Sequence, residues 1–180
     1  LFRFNVSNRR PYHQVDMYLV PNIREKNQVQ RRFSATSDRI RLFPNVGVDT
    51  DLFSRSYDRS AAPSMIYVGR LTDEERGKRP LLALQVLRML SKKLPSATME
   101  FVGDGPAQDL LKQYVYASGL QSSVEFSGYV ENSSVPPLIS RAWISINPML
   151  LDEFDIYWDG FTKESLACET PVFGFSSDDR

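Results

Sequence analysis

The chain has 180 residues, 42% of them hydrophobic and 24% charged, with 22 Lys+Arg against 22 Asp+Glu. These proportions exclude a disordered, collagen-like or disulfide-scaffold chain and predict an ordinary globular protein of one domain, or one domain plus a piece of another. No apolar run reaches the roughly 18–20 residues of a membrane-spanning helix, and Leu1-Phe2-Arg3-Phe4-Asn5 carries no signal-peptide pattern. Cys168 is the one cysteine and His13 the one histidine, which leaves no internal disulfide and no zinc site of the usual four-ligand kind. A reducing, cytosolic setting is expected.

The neutral total hides an asymmetry. Residues 1–42 hold nine Lys+Arg against three Asp+Glu, a balance of +6, and residues 43–180 hold 13 against 19, a balance of −6. A basic front end fits either contact with an anionic surface or a solvated helix face. Arg9-Arg10 and Arg31-Arg32 are pairs without interleaved aromatics, so a nucleic-acid platform is not expected.

In chain order, Ile40–Phe43 reads as a short strand ending at Pro44, and Ser64–Val68 as a strand ending at Gly69. A helix is predicted from Pro80 to Lys93, with proline in its first turn and Leu84, Leu87, Leu90 and Leu94 forming an apolar stripe. Thr98–Val102 is the next strand. Pro106 opens a helix with Leu110, Leu111, Tyr114 and Val115 on one side, closed at Ser118-Gly119. Val124–Phe126 is a strand, and Ser134 is placed to cap a short helix containing Pro136-Pro137. Trp143–Ile146 reads as a strand stopped by Asn147-Pro148, followed by a helix over Lys163–Cys168 and a last strand, Pro171–Phe175. Strands alternating with helices of this size predict βαβ units, hence an α/β fold with a Rossmann-like, doubly wound parallel sheet. Ligands of such sheets sit outside the carboxyl ends of the strands, which directs attention to the loops after each strand.

Gly69 suits a tight turn at a strand end, and Arg70 and Lys78 would place two cations at the mouth of the sheet, a match for a diphosphate. The same residues fit a second reading, Arg70 paired with Asp73, Glu74 or Glu75 and Lys78 solvated. Gly103-Asp104-Gly105 is a phosphate cradle or simply a tight strand-to-helix turn, since the dinucleotide fingerprint is incomplete. Residues 151–164 carry five carboxylates among large aromatics, a composition that hydrogen-bonds sugar hydroxyls and stacks on sugar rings. Glu164 also fits a first-turn acid that stabilises a helix dipole.

Taken in order, six segments resemble the family-four, GT-B-fold retaining glycosyltransferases. They are Pro44-Asn45-Val46-Gly47-Val48-Asp49 with Phe53, Tyr67-Val68-Gly69-Arg70-Leu71, Lys78-Arg79-Pro80, Phe101-Val102-Gly103-Asp104-Gly105-Pro106, Val124 through Val130, and Glu164 through Val172. The resemblance covers about residues 15–180. It implies that residues 1–43 are the tail of an amino-terminal, acceptor-binding domain with its linker. Residues 44–180 would then form most of a carboxyl-terminal, nucleotide-sugar-binding domain, one half of a GT-B fold.

By that resemblance the reaction is hexosyl transfer from a nucleotide-diphosphate sugar to a glycan or lipid-linked acceptor with retention of configuration. It needs no metal and no cofactor beyond the sugar nucleotide. Arg70 and Lys78 would hold the donor diphosphate and stabilise the charge growing on the leaving nucleotide. Gly69 and the segment Gly128-Tyr129-Val130 would line the donor site, the latter holding the base through backbone groups, and Glu164 would bond the ribose. The family's Glu-x7-Glu spacing is absent, because Ile156 stands eight residues before Glu164. Asp159, followed by Gly160-Phe161, is favoured as the first acid, and Glu153 is the other candidate. Glu169 stands where the family has a helix-ending glycine, so a strained turn is expected there. Relatives of this kind work at the cytoplasmic face of a membrane, with which the basic front end is compatible. A chain carrying only this part is expected to bind donor and transfer sugar poorly. The alternative is a non-catalytic nucleotide-sugar-binding or interaction module.

Overall fold

A computed structural model of the chain describes residues 15–21, 23–43, 47–72, 78–150 and 160–175. The chain divides into two compact units, Leu1–Gly47 and Val48–Arg180.

In the first unit β1 (Tyr18–Val20) and β2 (Ile40–Leu42) form a parallel pair joined by α1 (Ile23–Phe33), with Tyr18 opposite Ile40 and Val20 opposite Leu42. The predicted strand at residues 40–43 is therefore real, but its partner is β1, which the sequence reading did not mark. Val20, Ala35 and Ile40 form a small core with Tyr18 and Val29 against it, and the Tyr18 and Phe33 rings stack at 6.1 Å. Arg31 and Arg32 lie in the last turn of α1, where cations oppose the negative end of the helix dipole.

The second unit is a five-stranded parallel sheet built from β3 (Ser64–Val68), β4 (Thr98–Val102), β5 (Val124–Gly128), β6 (Ile144–Leu150) and β7 (Val172–Phe175), in the order β5-β4-β3-β6-β7. The connecting helices are α2 (Pro80–Leu90), α3 (Gln108–Ala117), α4 (Val135–Arg141) and α5 (Gly160–Ala167). Met65, Tyr67, Met99 and Phe101 face α2 and α3, packing on Ala83, Leu84, Leu87, Leu111 and Val115. Ile66 and Val102 face the other way, onto Val135 and Ile139 of α4 and Phe161 of α5. Helices on both faces explain why β3, the central strand, reads as Met-Ile-Tyr-Val without polar alternation. The α/β, doubly wound fold expected from the sequence is the fold observed.

Several boundaries differ from expectation for identifiable reasons. β6 runs through Asn147-Pro148 instead of stopping there. Its pairing with β3 ends at Ser145, and its register with β7 shifts between Asn147 and Leu150, so the missing Pro148 N–H falls at an irregularity and not in a regular ladder. Ser134 makes no side-chain cap, because it belongs to a preceding 3₁₀ turn, Asn132–Ser134, and already has helical φ and ψ. α2 stops at Leu90, leaving Leu94 exposed beyond it, and α3 begins at Gln108 with Leu110 on its exposed side. α5 begins at Gly160, three residues before the predicted start, which brings Phe161 and Glu164 onto one helix. Glu169 does take a left-handed φ of 56°, at the turn between α5 and β7. Its carboxylate pairs with Arg55 at 3.2 Å and its carbonyl accepts from Arg59 at 3.0 Å. Those exposed contacts offset part of a left-handed penalty of about 1–2 kcal/mol.

The tightest point of the fold lies where the β3 and β4 loops meet. Gly103 has φ 126°, and a Cβ there would lie 2.2 Å from the Gly69 carbonyl oxygen. Gly103→Ala is therefore expected to destabilise the second unit by more than about 2 kcal/mol, since a backbone shift adds to left-handed strain. Gly119→Ala, at φ 67° with nothing near its Cβ, is expected to cost only about 1 kcal/mol. Urea unfolding of the two variants beside the parent chain checks the ordering.

Candidate functional site

The strand order reverses at β3: the chain lays β4 and β5 on one side, then returns to place β6 and β7 on the other. The crevice outside the carboxyl ends of β3 and β6 is thus the switch point where open α/β sheets bind ligands. Arg70 sits there, two residues past the end of β3, with its side chain exposed.

The backbone under Arg70 is held on both sides. The Gly69 N–H donates to the Val102 carbonyl at 2.9 Å, and the Leu71 N–H donates to the Asp104 carbonyl at 2.8 Å. The Leu71 carbonyl in turn accepts from the Ala107 N–H at 2.9 Å, and the Leu71 side chain is fully buried. The Arg70 carbonyl accepts from the Thr72 N–H and from the Tyr67 hydroxyl, both at 3.0 Å. The Gly103 N–H donates to the Gly128 carbonyl at 2.7 Å, which extends the same ladder to the β5 loop. Of the two readings of Gly103-Asp104-Gly105, the tight turn is therefore the one with contacts to show. A Cβ at Gly105 would lie 2.4 Å from the Leu71 carbonyl oxygen. These glycines let two loops press together and so position Arg70.

The other predicted residues fall into three groups. Lys78 is half-buried just before α2, whose proline at N1 follows Arg79 in a left-handed conformation. Gly128, with φ 68°, turns the chain out of β5. Tyr129 beyond it is 70% exposed, and Val130 packs back on the core beside α4. Gly160 is exposed at the start of α5, and Glu164 lies half-buried one turn on, its Oε1 3.5 Å from where a Gly160 Cβ would be. Phe161, grouped with Asp159 and Gly160 in the donor-site motif, is 6% exposed and packs in the core, its ring 6.5 Å from Tyr67. Its apolar ring gains more from that burial than from a wet crevice. Asp159 and Glu153, the two candidates for the first acid, and Asp73, Glu74 and Glu75, the candidate partners of Arg70, lie outside the described residues.

Two contributors were missed by the sequence reading. Tyr67 supplies the hydroxyl under Arg70. Asn147, 4% exposed on β6, donates through Nδ2 to Thr162 Oγ1 at 2.8 Å and ties the sheet to the first turn of α5. The available signal for both was a polar group at a core position of a strand.

A cavity of about 620 Å³ lies elsewhere. It lies against the amino-terminal halves of β3, β4 and β5 and against α4, and includes Glu100, Glu125, Leu138 and Arg141. None of the predicted site residues lines it, so the switch-point geometry and not cavity size identifies the candidate site. No cluster of three or more His, Cys, Asp or Glu able to hold a metal occurs among the described residues. No helix among them is long and apolar enough to cross a membrane.

Behind Glu164, Cys168 is 1% exposed, and burial pushes its thiol pKa up. The nearby Ser140 hydroxyl opposes that shift, and the Glu164 charge adds to it. Because the folded value is raised, the unfolded chain ionises first. The contribution is constant below about pH 8.5 and stability is lost as pH rises past that value. Urea midpoints from pH 7 to 10 should fall more steeply for the parent chain than for Cys168→Ser, whose hydroxyl does not ionise.

A doubly wound parallel sheet with an exposed arginine at its switch point defines an open α/β protein of the kind that binds ligands at the carboxyl edge. Residues 62–178 match the family described as glycosyl transferases group 1, and the chain belongs to that family. It is 28% identical over 114 residues to a 2-deoxystreptamine N-acetyl-D-glucosaminyltransferase of Streptomyces fradiae, a match spanning 63% of this chain and 26% of that protein. It is 21% identical over 173 residues to an uncharacterized glycosyltransferase of Methanocaldococcus jannaschii, spanning 89% and 40%. The chain thus spans well under half the length of these curated relatives. Among solved structures, the pneumococcal O-GlcNAc transferase GtfA, in complex with UDP and GlcNAc, superposes with a TM-score of 0.68 at 21% identity. That match covers 89% of this chain and 30% of GtfA. The lipopolysaccharide glycosyltransferase WaaG superposes with a TM-score of 0.66 at 16% identity, covering 87% and 43%. These likenesses establish the fold, that of GT-B glycosyltransferase domains.

Proposed function

We propose that residues 44–180 serve as the carboxyl-terminal, donor-binding half of a retaining GT-B glycosyltransferase of the family-four type, residues 1–43 being the tail of the acceptor-binding half. The reaction is transfer of a hexosyl group from a nucleotide-diphosphate sugar to a glycan or lipid-linked acceptor, without a metal, at the cytoplasmic face of a membrane. The observation that carries this reading is the exposed Arg70 guanidinium at the switch point, on a loop anchored by hydrogen bonds at residues 69, 70 and 71.

A guanidinium there meets the diphosphate of a nucleotide lying across the carboxyl edge, and Lys78 adds a compact second charge from the same loop. Both act on the negative charge that grows on the leaving diphosphate, and a fixed cation needs little reorganisation as it does so. Gly128, Tyr129 and Val130 hold the base, and Gly69 allows the backbone to approach. Gly160 opens α5, whose positive end favours the anionic donor, and Glu164 bonds the ribose. Asp159 takes the place of the first acid. Phe161 contributes by fixing α5 to the core. The UDP complex of GtfA and the aminocyclitol-directed relative from Streptomyces fradiae support a sugar-nucleotide donor of this general kind.

Thermal unfolding with UDP, GDP, ADP and their sugar conjugates tests the proposal. A ligand at 100 times its dissociation constant adds about 2.7 kcal/mol. One base should stabilise the chain, and the shift should disappear in Arg70→Ala and in Lys78→Ala. A folded chain indifferent to all of them would overturn donor binding.

A further inference from the structure

We propose that Tyr67 is a positioning residue for sugar-nucleotide binding: its buried hydroxyl sets the orientation of the Arg70 peptide and thereby aims the guanidinium. The inference rests on the donor-site reading above and adds to it a residue that has no direct access to the ligand.

Tyr67 is 1% exposed and lies on the central strand. Its ring is held from two sides, by Phe101 at 5.4 Å and by Phe161 at 6.5 Å, and Phe101 stacks in turn on Phe126 at 5.3 Å. A row of rings therefore runs from β5 through β4 and β3 to α5, and it holds the Tyr67 ring in place. The Tyr67 hydroxyl points at the loop that leaves its own strand and donates to the Arg70 carbonyl at 3.0 Å.

That loop needs such a stop. Gly69 has φ 153°, a region that only glycine occupies freely, so the step before Arg70 has little steric definition of its own. The Arg70 carbonyl and the Leu71 N–H lie in one peptide plane, so the Tyr67 hydroxyl and the ladder bond to Asp104 grip that plane from its two edges and resist its rotation together. A Cβ on Gly69 would lie 3.6 Å from that hydroxyl, so the phenol supports the turn from below. Folding does not require the oxygen. A phenylalanine would keep both ring contacts, and the Arg70 carbonyl would still accept from the Thr72 N–H. The same ring touches Phe161 on α5, so the arginine and the helix bearing Glu164 are referenced to one buried side chain.

The test compares Tyr67→Phe, Arg70→Ala and the double variant with the parent chain. Dissociation constants are measured for UDP, GDP and ADP and for the matching nucleosides, which lack the diphosphate, and melting temperatures are recorded alongside. Tyr67→Phe is expected to weaken the preferred nucleoside diphosphate about five-fold, the usual scale for one hydrogen bond. Nucleoside affinity should stay essentially unchanged, and the melting temperature should fall by no more than a few degrees, the scale of one lost hydrogen bond. Arg70→Ala is expected to weaken the diphosphate about ten-fold or more, and the double variant should be no weaker than Arg70→Ala, because the phenol acts only through the arginine. Equal losses for nucleoside and diphosphate would reduce Tyr67 to a structural role and overturn the inference. So would parent-like diphosphate affinity in Tyr67→Phe while Arg70→Ala is impaired, an outcome that leaves the donor-site reading standing. If Arg70→Ala binds like the parent, or the parent binds no diphosphate, the donor-site reading fails and this inference with it.

Discussion

Two loops touching through their main chains hold the candidate site together. After β3 and after β4 the chain turns within van der Waals distance of itself, with the Gly103 α-carbon against the Gly69 carbonyl and the Gly105 α-carbon against that of Leu71. Side chains at either glycine would push the loops apart. The ladder bonds between residues 69–71 and residues 102–107 would then be lost, and with them the geometry under Arg70. Backbone polar groups at strand ends must find partners, and here they find one another across two adjacent loops. An exposed, flexible arginine thereby acquires a rigid root. Preorganisation of this kind makes a surface cation useful to a ligand, because little ordering cost is left at binding.

The sheet topology decides where that root stands. β3 is the first strand laid down and ends in the middle, with β4 on one side and β6 on the other. Its flanking helices depart to opposite faces, which opens the crevice at its carboxyl end. The same topology brings α5 to that edge through β6, and the hydrogen bond from Asn147 to Thr162 secures its first turn. The cavity at the amino-terminal side of the strands lies away from that switch point, which is why volume alone is a poor guide here.

The corner between α5 and β7 is held by tertiary contacts. α5 runs only from Gly160 to Ala167, and Glu169 takes the left-handed turn that glycine would take without strain. Arg55 and Arg59 gather around that glutamate from a segment distant in sequence, so a locally unfavourable choice is coupled to a tertiary contact. Thr170, buried next to it, donates to the Ile139 carbonyl and ties the same turn to α4. The corner is thus held by long-range bonds where a glycine would have held it by local preference.

Much of the fold was legible in the sequence because its signals are local. β3 and β4 are apolar runs closed by glycine, α2 begins with proline and repeats leucine at helical spacing, and α3 ends at a left-handed glycine. Each is a property of a few neighbouring residues. The place of Arg70 just past a strand end was also legible, because Gly69 closes β3. The tertiary structure decided what depends on partners. It gave Ile40–Leu42 a sheet of its own with β1, let β6 continue through Pro148 where regular pairing had ended, and put Ser134 in a turn that cannot cap. It drew Phe161 into the core and aimed the Tyr67 hydroxyl at Arg70. The strand pairing and the burial of Phe161 are settled by atoms far along the chain, whereas the Ser134 turn and the Tyr67 bond are local contacts whose geometry the surrounding packing sets.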